Sequence, residues 1–128
     1  MGPVLPLFLH TEAQLRFERA GGFGQGIAWH IYDCRAWSDA IHPANAGRFG
    51  TGANMVFLVK ALREIGGFDE ALDTAPPLAG GGDTDAFYRI LRAGYRLVYS
   101  PGQLVHHEHR KDMSGWRRQY LSGGMRTR

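Results

Sequence analysis

The sequence predicts an α/β layered domain, and three observations carry that expectation. Short β-rich apolar runs alternate with segments whose apolar residues recur at helical spacing. Glycine, present 18 times in 128 residues, punctuates nearly every junction between them. A hydrophobic share of 44% is enough for a real core in a chain the size of one domain or part of one.

From the N-terminus, Val4 to Leu9 reads as a brief strand. Thr11 followed by Gln14 is a capping-box pattern that opens a helix through about Ala20. Gly21, Gly22, Gly24 and Gly26 make a loop too glycine-rich for regular structure. Residues 27 to 48 give mixed signals: Trp29, Tyr32 and Trp37 suit buried anchors, whereas Pro43, Asn45 and Gly47 indicate a surface loop. Met55 to Val59 is a β-rich run that feeds a short helix across Lys60 to Ile65, which Gly66 ends. Phe68, just past that glycine, is placed to fold back on the helix end.

Pro76 and Pro77 begin a loop that runs to Gly82, and GGGDTDAFYRILRAG (Gly80 to Gly94) then puts two carboxylates at the mouth of an amphipathic helix. Asp83 falls where an N-cap is expected, and Thr84 and Asp85 open the first turn, where unpaired backbone N–H groups and the helix dipole favour negative charge. Phe87, Ile90 and Leu91 share the apolar face, Asp85 and Arg89 can pair at i, i+4 on the other, and Gly94 stops the helix. Leu97 to Tyr99 and Gln103 to His107 read as strands around a Pro101-Gly102 turn, and Trp116 to Leu121 as a final amphipathic helix.

Charge and cysteine content limit the function classes. A formal charge of +3, with no basic stripe interleaved with aromatics, argues against nucleic acid as a partner. Arg117, Arg118, Arg126 and Arg128 form the one local basic excess, which suits a solvated tail and an anionic membrane surface equally well. The single cysteine, Cys34, excludes an internal disulfide framework and fits a reducing compartment. With no eighteen-residue apolar run and no signal-peptide pattern, the expectation is a cytoplasmic protein, with the inner face of the cytoplasmic membrane as the place where the basic cluster would bind.

The acidic helix start lies between FGTGANMVFLVKALREIGGFDEAL (Phe49 to Leu72) and YRLVYSPGQLVHHEHRKD (Tyr95 to Asp112). In this order, glycine loop, GGFDE turn, acidic helix, YSP strand end and histidine before a basic pair, the chain resembles the C-terminal, acceptor-side half of a family 2 glycosyltransferase domain of GT-A type. The resemblance runs from about Gly2 to about Tyr120 and implies a partial GT-A, Rossmann-like nucleotide-diphospho-sugar transferase fold with mixed strands and flanking helices. It implies inverting transfer of a sugar from a nucleotide-diphosphate donor to the hydroxyl of a glycan or lipid acceptor, in polysaccharide or glycan biosynthesis.

Such chemistry needs a base for the acceptor hydroxyl and a divalent cation, Mn²⁺ or Mg²⁺, to neutralise the leaving diphosphate. Family members carry a Glu-Asp pair at this helix start with the second residue as base, so the resemblance gives the base role to Asp83. The Glu is replaced by Gly82. An aspartate with a pKa near its ordinary value of about 4 is ionised and able to accept a proton. Asp85 is then structural or acceptor-orienting. His107 and His109 share one face of a strand, with His106 on the other, so two nitrogens are available on one side. The resemblance makes His107 a metal ligand or a contact to the donor diphosphate, and matches His109 and Arg110 to the following HR pair. Gly52 and Asn54, in Gly50-Thr51-Gly52-Ala53-Asn54, line the donor side by resemblance and form a tight turn by their residue types alone.

The N-terminal nucleotide-binding βαβ half of such an enzyme, with its strand-end Asp-x-Asp, is not recognisable in the sequence. Residues 1 to 128 are therefore expected to be a single partial domain, inactive alone, whose uncovered sheet edge pairs with a second copy. A non-catalytic binding or assembly module with the same fold is the alternative. A small hydrolase using Asp83 with His107 and His109 is a third reading, weakened by the lack of further ligands. A βαβ segment encoded immediately upstream would decide for the first.

Overall fold

A computed structural model describes residues 1–35, 48–72 and 80–122. The elements in order are strand β1 (Val4–Pro6), helix α1 (Glu12–Arg19), strand β2 (His30–Asp33), a 3-10 turn at Gly52–Asn54, helix α2 (Val59–Glu64), a 3-10 turn at Glu70–Leu72, helix α3 (Gly82–Arg92), strands β3 (Arg96–Tyr99) and β4 (Val105–His107), and helix α4 (Met113–Ser122). This is a mixed α/β arrangement, consistent with a partial GT-A fold. β1 runs parallel to β4 with Val4 opposite Val105 and Pro6 opposite His107, while β2 runs antiparallel to β3 with His30 opposite Tyr99 and Asp33 opposite Arg96. The strands flanking the Pro101-Gly102 turn thus belong to different two-stranded sheets. The turn itself is closed by the Gln103 N–H donating to the Ser100 carbonyl at 3.1 Å.

Local chemistry accounts for the elements. Thr11 caps α1 with the reciprocal pattern its spacing predicts: its hydroxyl accepts from the Gln14 N–H and the Gln14 side chain accepts from the Thr11 N–H. α3 buries Ala86, Phe87, Ile90 and Leu91 along one face. Gly94, at φ +87°, ends α3, and the Tyr95 N–H reaches back to the Ile90 carbonyl. The core gathers Phe49, Ala61, Phe87, Ile90, Leu91, Leu97 and Tyr99 between α2, α3 and β3. The buried Tyr99 hydroxyl donates to the Gly26 carbonyl at 2.9 Å, pinning the glycine loop to that core.

Several expectations change. The apolar run Met55 to Val59 is extended but unpaired among the described residues. Met55 and Phe57 face inward and Val56 and Leu58 outward with the period of a strand, yet no neighbouring strand completes a ladder. Trp29 is 63% exposed instead of a buried anchor, and it stands just ahead of β2, which the sequence did not announce. Phe68, just past the end of α2, meets the edge of the Phe57 ring at 5.6 Å. That helix end is held by Arg89, whose guanidinium donates to the carbonyls of Ile65 at 2.7 Å and Gly67 at 2.8 Å. α4 begins three residues before Trp116, since Asp112 accepts from the Gly115 N–H and sets the first turn there. Trp37, Pro43, Asn45, Gly47, Pro76, Pro77, Arg126 and Arg128 lie outside the described residues. Among the described residues no helix is long and apolar enough to cross a membrane.

Candidate functional site

Asp83 is not the N-cap of α3. Gly81 takes that position with φ +102°, a left-handed conformation that glycine adopts without steric cost, and the helix begins at Gly82. The shift places Asp83 inside the first turn, where its carboxylate turns sideways. One oxygen accepts from the Gly52 N–H at 2.6 Å and the other from the Thr84 N–H at 2.8 Å. The approach is close: a Cβ added at Gly52 would lie 3.0 Å from that Asp83 oxygen and 3.2 Å from its Cβ. The glycine of the upstream loop and the aspartate of the acidic helix are thereby brought together; the Thr84 hydroxyl also donates to the second oxygen at 3.4 Å, and the oxygen facing Gly52 keeps a second lone pair.

Asp85 turns away from this contact. Its carboxylate pairs with Arg89 at 2.7 Å, the i, i+4 pair its spacing predicts, and that same arginine grips the end of α2. Asn54 is buried, and its amide donates to the Pro3 and Gln103 carbonyls at 3.0 and 2.5 Å. It ties the 3-10 turn to the start of β1 and to the turn before β4, leaving no N–H for a ligand.

The second grouping lies at the end of β4. His107 and His109 share a side, as their spacing predicts, with their Nδ1 atoms 3.0 Å apart, while His106 is exposed on the other face. His109 lies past the strand end and is buried to 3% exposure. Its ring stands between Phe17 and Phe23, with centroids at 4.6 and 5.8 Å, and its Nε2 meets a Glu18 carboxylate oxygen at 2.8 Å. The Gln14 side chain donates to the His109 carbonyl at 3.2 Å. Phe23 also packs edge-on against His107 at 5.0 Å. Loss of solvent, then the neighbouring His109 and Arg110, hold His107 below the ordinary imidazole range. His107, His109, Arg110, Lys111 and Asp112 line an open polar cleft of about 560 Å³.

Among the described residues no three His, Cys, Asp or Glu side chains converge as a cation site would require. Glu18 approaches the far nitrogen of His109, away from the His107 pair. The residues present fit a cation in one respect: His107 keeps one ring nitrogen, Nε2, outside its contact with His109. Asp83 and His107 stand on different elements, linked through Gly52, Asn54, Pro3 and the β1–β4 pair.

Sequence reasoning missed the contribution of α1. Gln14, Phe17 and Glu18 build the floor under the histidines, and a period-3.6 reading of that helix marks its buried face without revealing what the face touches. The signal that was available is the i, i+4 pair of Gln14 and Glu18, two polar residues flanking a buried phenylalanine.

No solved structure matches the chain. The pre-mycofactocin glycosyltransferases of Mycobacterium tuberculosis, from strains CDC 1551 / Oshkosh and ATCC 25618 / H37Rv, are each 35% identical to it over 76 residues, which is 59% of this chain. The aligned stretch spans 15% of the length of those relatives. The model of glycosyl transferase family group 2 matches residues 7–122, a span that holds both the Asp83–Gly52 contact and the paired histidines. By that match the chain belongs to glycosyl transferase family group 2.

Proposed function

We propose that the chain is the acceptor-side half of a GT-A glycosyltransferase, hexosyltransferase-like, that transfers a sugar with inversion from a nucleotide-diphosphate donor to an acceptor hydroxyl. The observation that carries the reading is the Asp83 carboxylate, oriented by two backbone N–H groups in the first turn of α3 within the family-matched segment. A carboxylate so held accepts the acceptor's hydroxyl proton as that oxygen attacks the anomeric carbon. The bond from the anomeric carbon to the diphosphate oxygen breaks on the opposite face, and the nucleoside diphosphate leaves with the electron pair. A Mn²⁺ or Mg²⁺ ion, when bound, supplies charge neutralisation at that diphosphate. On this side of the site His107 contributes one nitrogen toward it, and Arg110 lines the same cleft with charge suited to phosphate oxygens.

The role of His107 has a direct check. His107→Ala should raise the Mn²⁺ or Mg²⁺ concentration needed for half-maximal transfer in the complete enzyme by about ten-fold, as loss of a ligand does. His106→Ala, on the exposed face of β4, should leave it unchanged. Equal effects of the two would remove His107 from the cation site.

The half-domain reading is tested on the chain itself. Ile27, Val56, Leu58 and Trp29 are 79, 74, 72 and 63% exposed. A largely apolar groove of about 460 Å³, with Trp29, Phe57, Leu58 and Phe87 in its walls, runs beside them. Apolar surface of this kind, and edges of β1 and β2 left unpaired among the described residues, favour self-association. Titration of UDP- and GDP-sugars with Mn²⁺ by calorimetry is expected to give weak or undetectable heats, and light scattering a dimer or larger species. A βαβ nucleotide half supplied in cis or in trans should restore binding. Tight, metal-dependent binding by a monomer would favour the stand-alone module instead, a reading that also draws on Gly82 in place of the expected Glu.

A further inference from the structure

Glu18, His109 and His107 form a single hydrogen-bonded line: the Glu18 carboxylate to Nε2 of His109 at 2.8 Å, and Nδ1 of His109 to Nδ1 of His107 at 3.0 Å. Each contact constrains the next when every ring carries one proton. A carboxylate only accepts, so the His109 proton sits on Nε2. Nδ1 of His109 is then a bare lone pair and can only accept, so the facing proton belongs to Nδ1 of His107. The Nε2 of His107 is left without a proton. Phe17 and Phe23 clamp the His109 ring and the Gln14 amide holds its carbonyl, so the ring cannot turn to exchange its nitrogens without breaking the packing. The line joins α1 to the end of β4 and ends at the polar cleft that His107 lines.

We propose that Glu18 and His109 are positioning residues that fix the tautomer of His107, so that it offers an unprotonated Nε2 to the cleft: an electron-pair donor for a divalent cation, not an N–H donor for a phosphate oxygen. The inference rests on the reading of His107 given above and chooses between its two roles there. It also assigns α1 a part in the site. Ligand histidines are commonly oriented through their second nitrogen, and here the orienting group is itself a histidine, backed by a carboxylate.

Multiple-bond ¹H–¹⁵N correlation spectra of the ¹⁵N-labelled, metal-free protein at pH 8 read the tautomers directly. His107 is expected with its proton on Nδ1 and a bare Nε2, and His109 with the reverse. In Glu18→Ala and in His109→Phe, His107 should lose the Nδ1–H form in favour of Nε2–H, with the backbone amide fingerprint retained. The Glu18 side chain is 30% exposed, so Glu18→Ala carries the test should the buried His109→Phe variant fail to fold. An Nε2–H His107 in the parent protein, or an unchanged His107 tautomer in folded Glu18→Ala, would overturn the proposal. Mn²⁺ added to the same sample should broaden the His107 Nε2 signal first, and Glu18→Ala should need about ten-fold more Mn²⁺ for the same broadening. A parent tautomer as proposed but indifferent to Mn²⁺ would leave the Glu18–His109–His107 line standing and strike the cation reading on which its use depends.

Discussion

Asp83→Asn, in the protein joined to a nucleotide-binding half, should bind donor about as well as the parent and turn it over roughly a hundred-fold or more slowly. The substitution removes the group that receives the acceptor's proton while keeping the shape of the side chain. Its carbonyl oxygen can still accept from the Gly52 N–H, but the amide nitrogen then faces the Thr84 N–H, donor against donor, where a carboxylate oxygen accepted at 2.8 Å. A secondary cost of about 1 kcal/mol in stability is expected from that lost bond. Single-turnover rates with the donor held at saturation separate the two effects, with the thermal midpoint as the measure of the second. Turnover close to that of the parent would take Asp83 out of the mechanism and leave it as the tether between the glycine loop and α3.

Phe87→Ala should cost about 3–5 kcal/mol of folding stability. Phe87 is 1% exposed on α3, and its ring stacks with Phe57 at 5.9 Å. Truncation leaves a void bounded by rings and by α3 itself, and close packing gives those neighbours little room to collapse into it. Set against a total of about 5–15 kcal/mol for a domain, the loss would leave the variant marginal or unfolded at 37 °C. Val56→Ala, on a side chain 74% exposed, should shift the urea midpoint hardly at all. A small effect at Phe87 would mean that the packing between α3 and the 55–58 segment is not what organises this half of the molecule.

Elements whose determinants are local were legible in the sequence. The Thr11–Gln14 capping box, the apolar face of α3, the Asp85–Arg89 pair and the Gly94 stop each depend on residues within one turn of each other, and the structure contains all of them. The shared side of His107 and His109 also followed from spacing, because two residues two apart emerge from the same side of extended backbone. What failed depends on distant partners. Met55 to Val59 has strand composition and strand alternation, but a ladder needs a second strand, and composition does not say where one lies. Asp83 was assigned to the cap on residue type, whereas a positive φ at Gly81 took that position and freed the carboxylate for Gly52. Asn54 was placed on the donor side by resemblance and in a tight turn by its type, and its burial against Pro3 and Gln103 was invisible without the fold. Gln14 and Glu18 reach further still, each being separated from His109 by most of the chain.

The pairing of β1 with β4 bears on how the molecule is made. Val4 finds its partner at Val105, and the Met1 amino group donates to the carbonyl of Val98, so residues 1–6 meet these partners only once Val98 and Val105 have been synthesised. At about 5–20 residues per second, β1 waits several seconds for β4 to follow it, with Leu5, Leu7 and Phe8 beside it in sequence. α1 can form early on its own cap, but the strand beside it cannot, and loop closure over so long a span comes late and slowly. Chaperone capture during that interval, and competition from any other strand edge within reach, therefore bear most heavily on the segment that ends up parallel to the histidine strand.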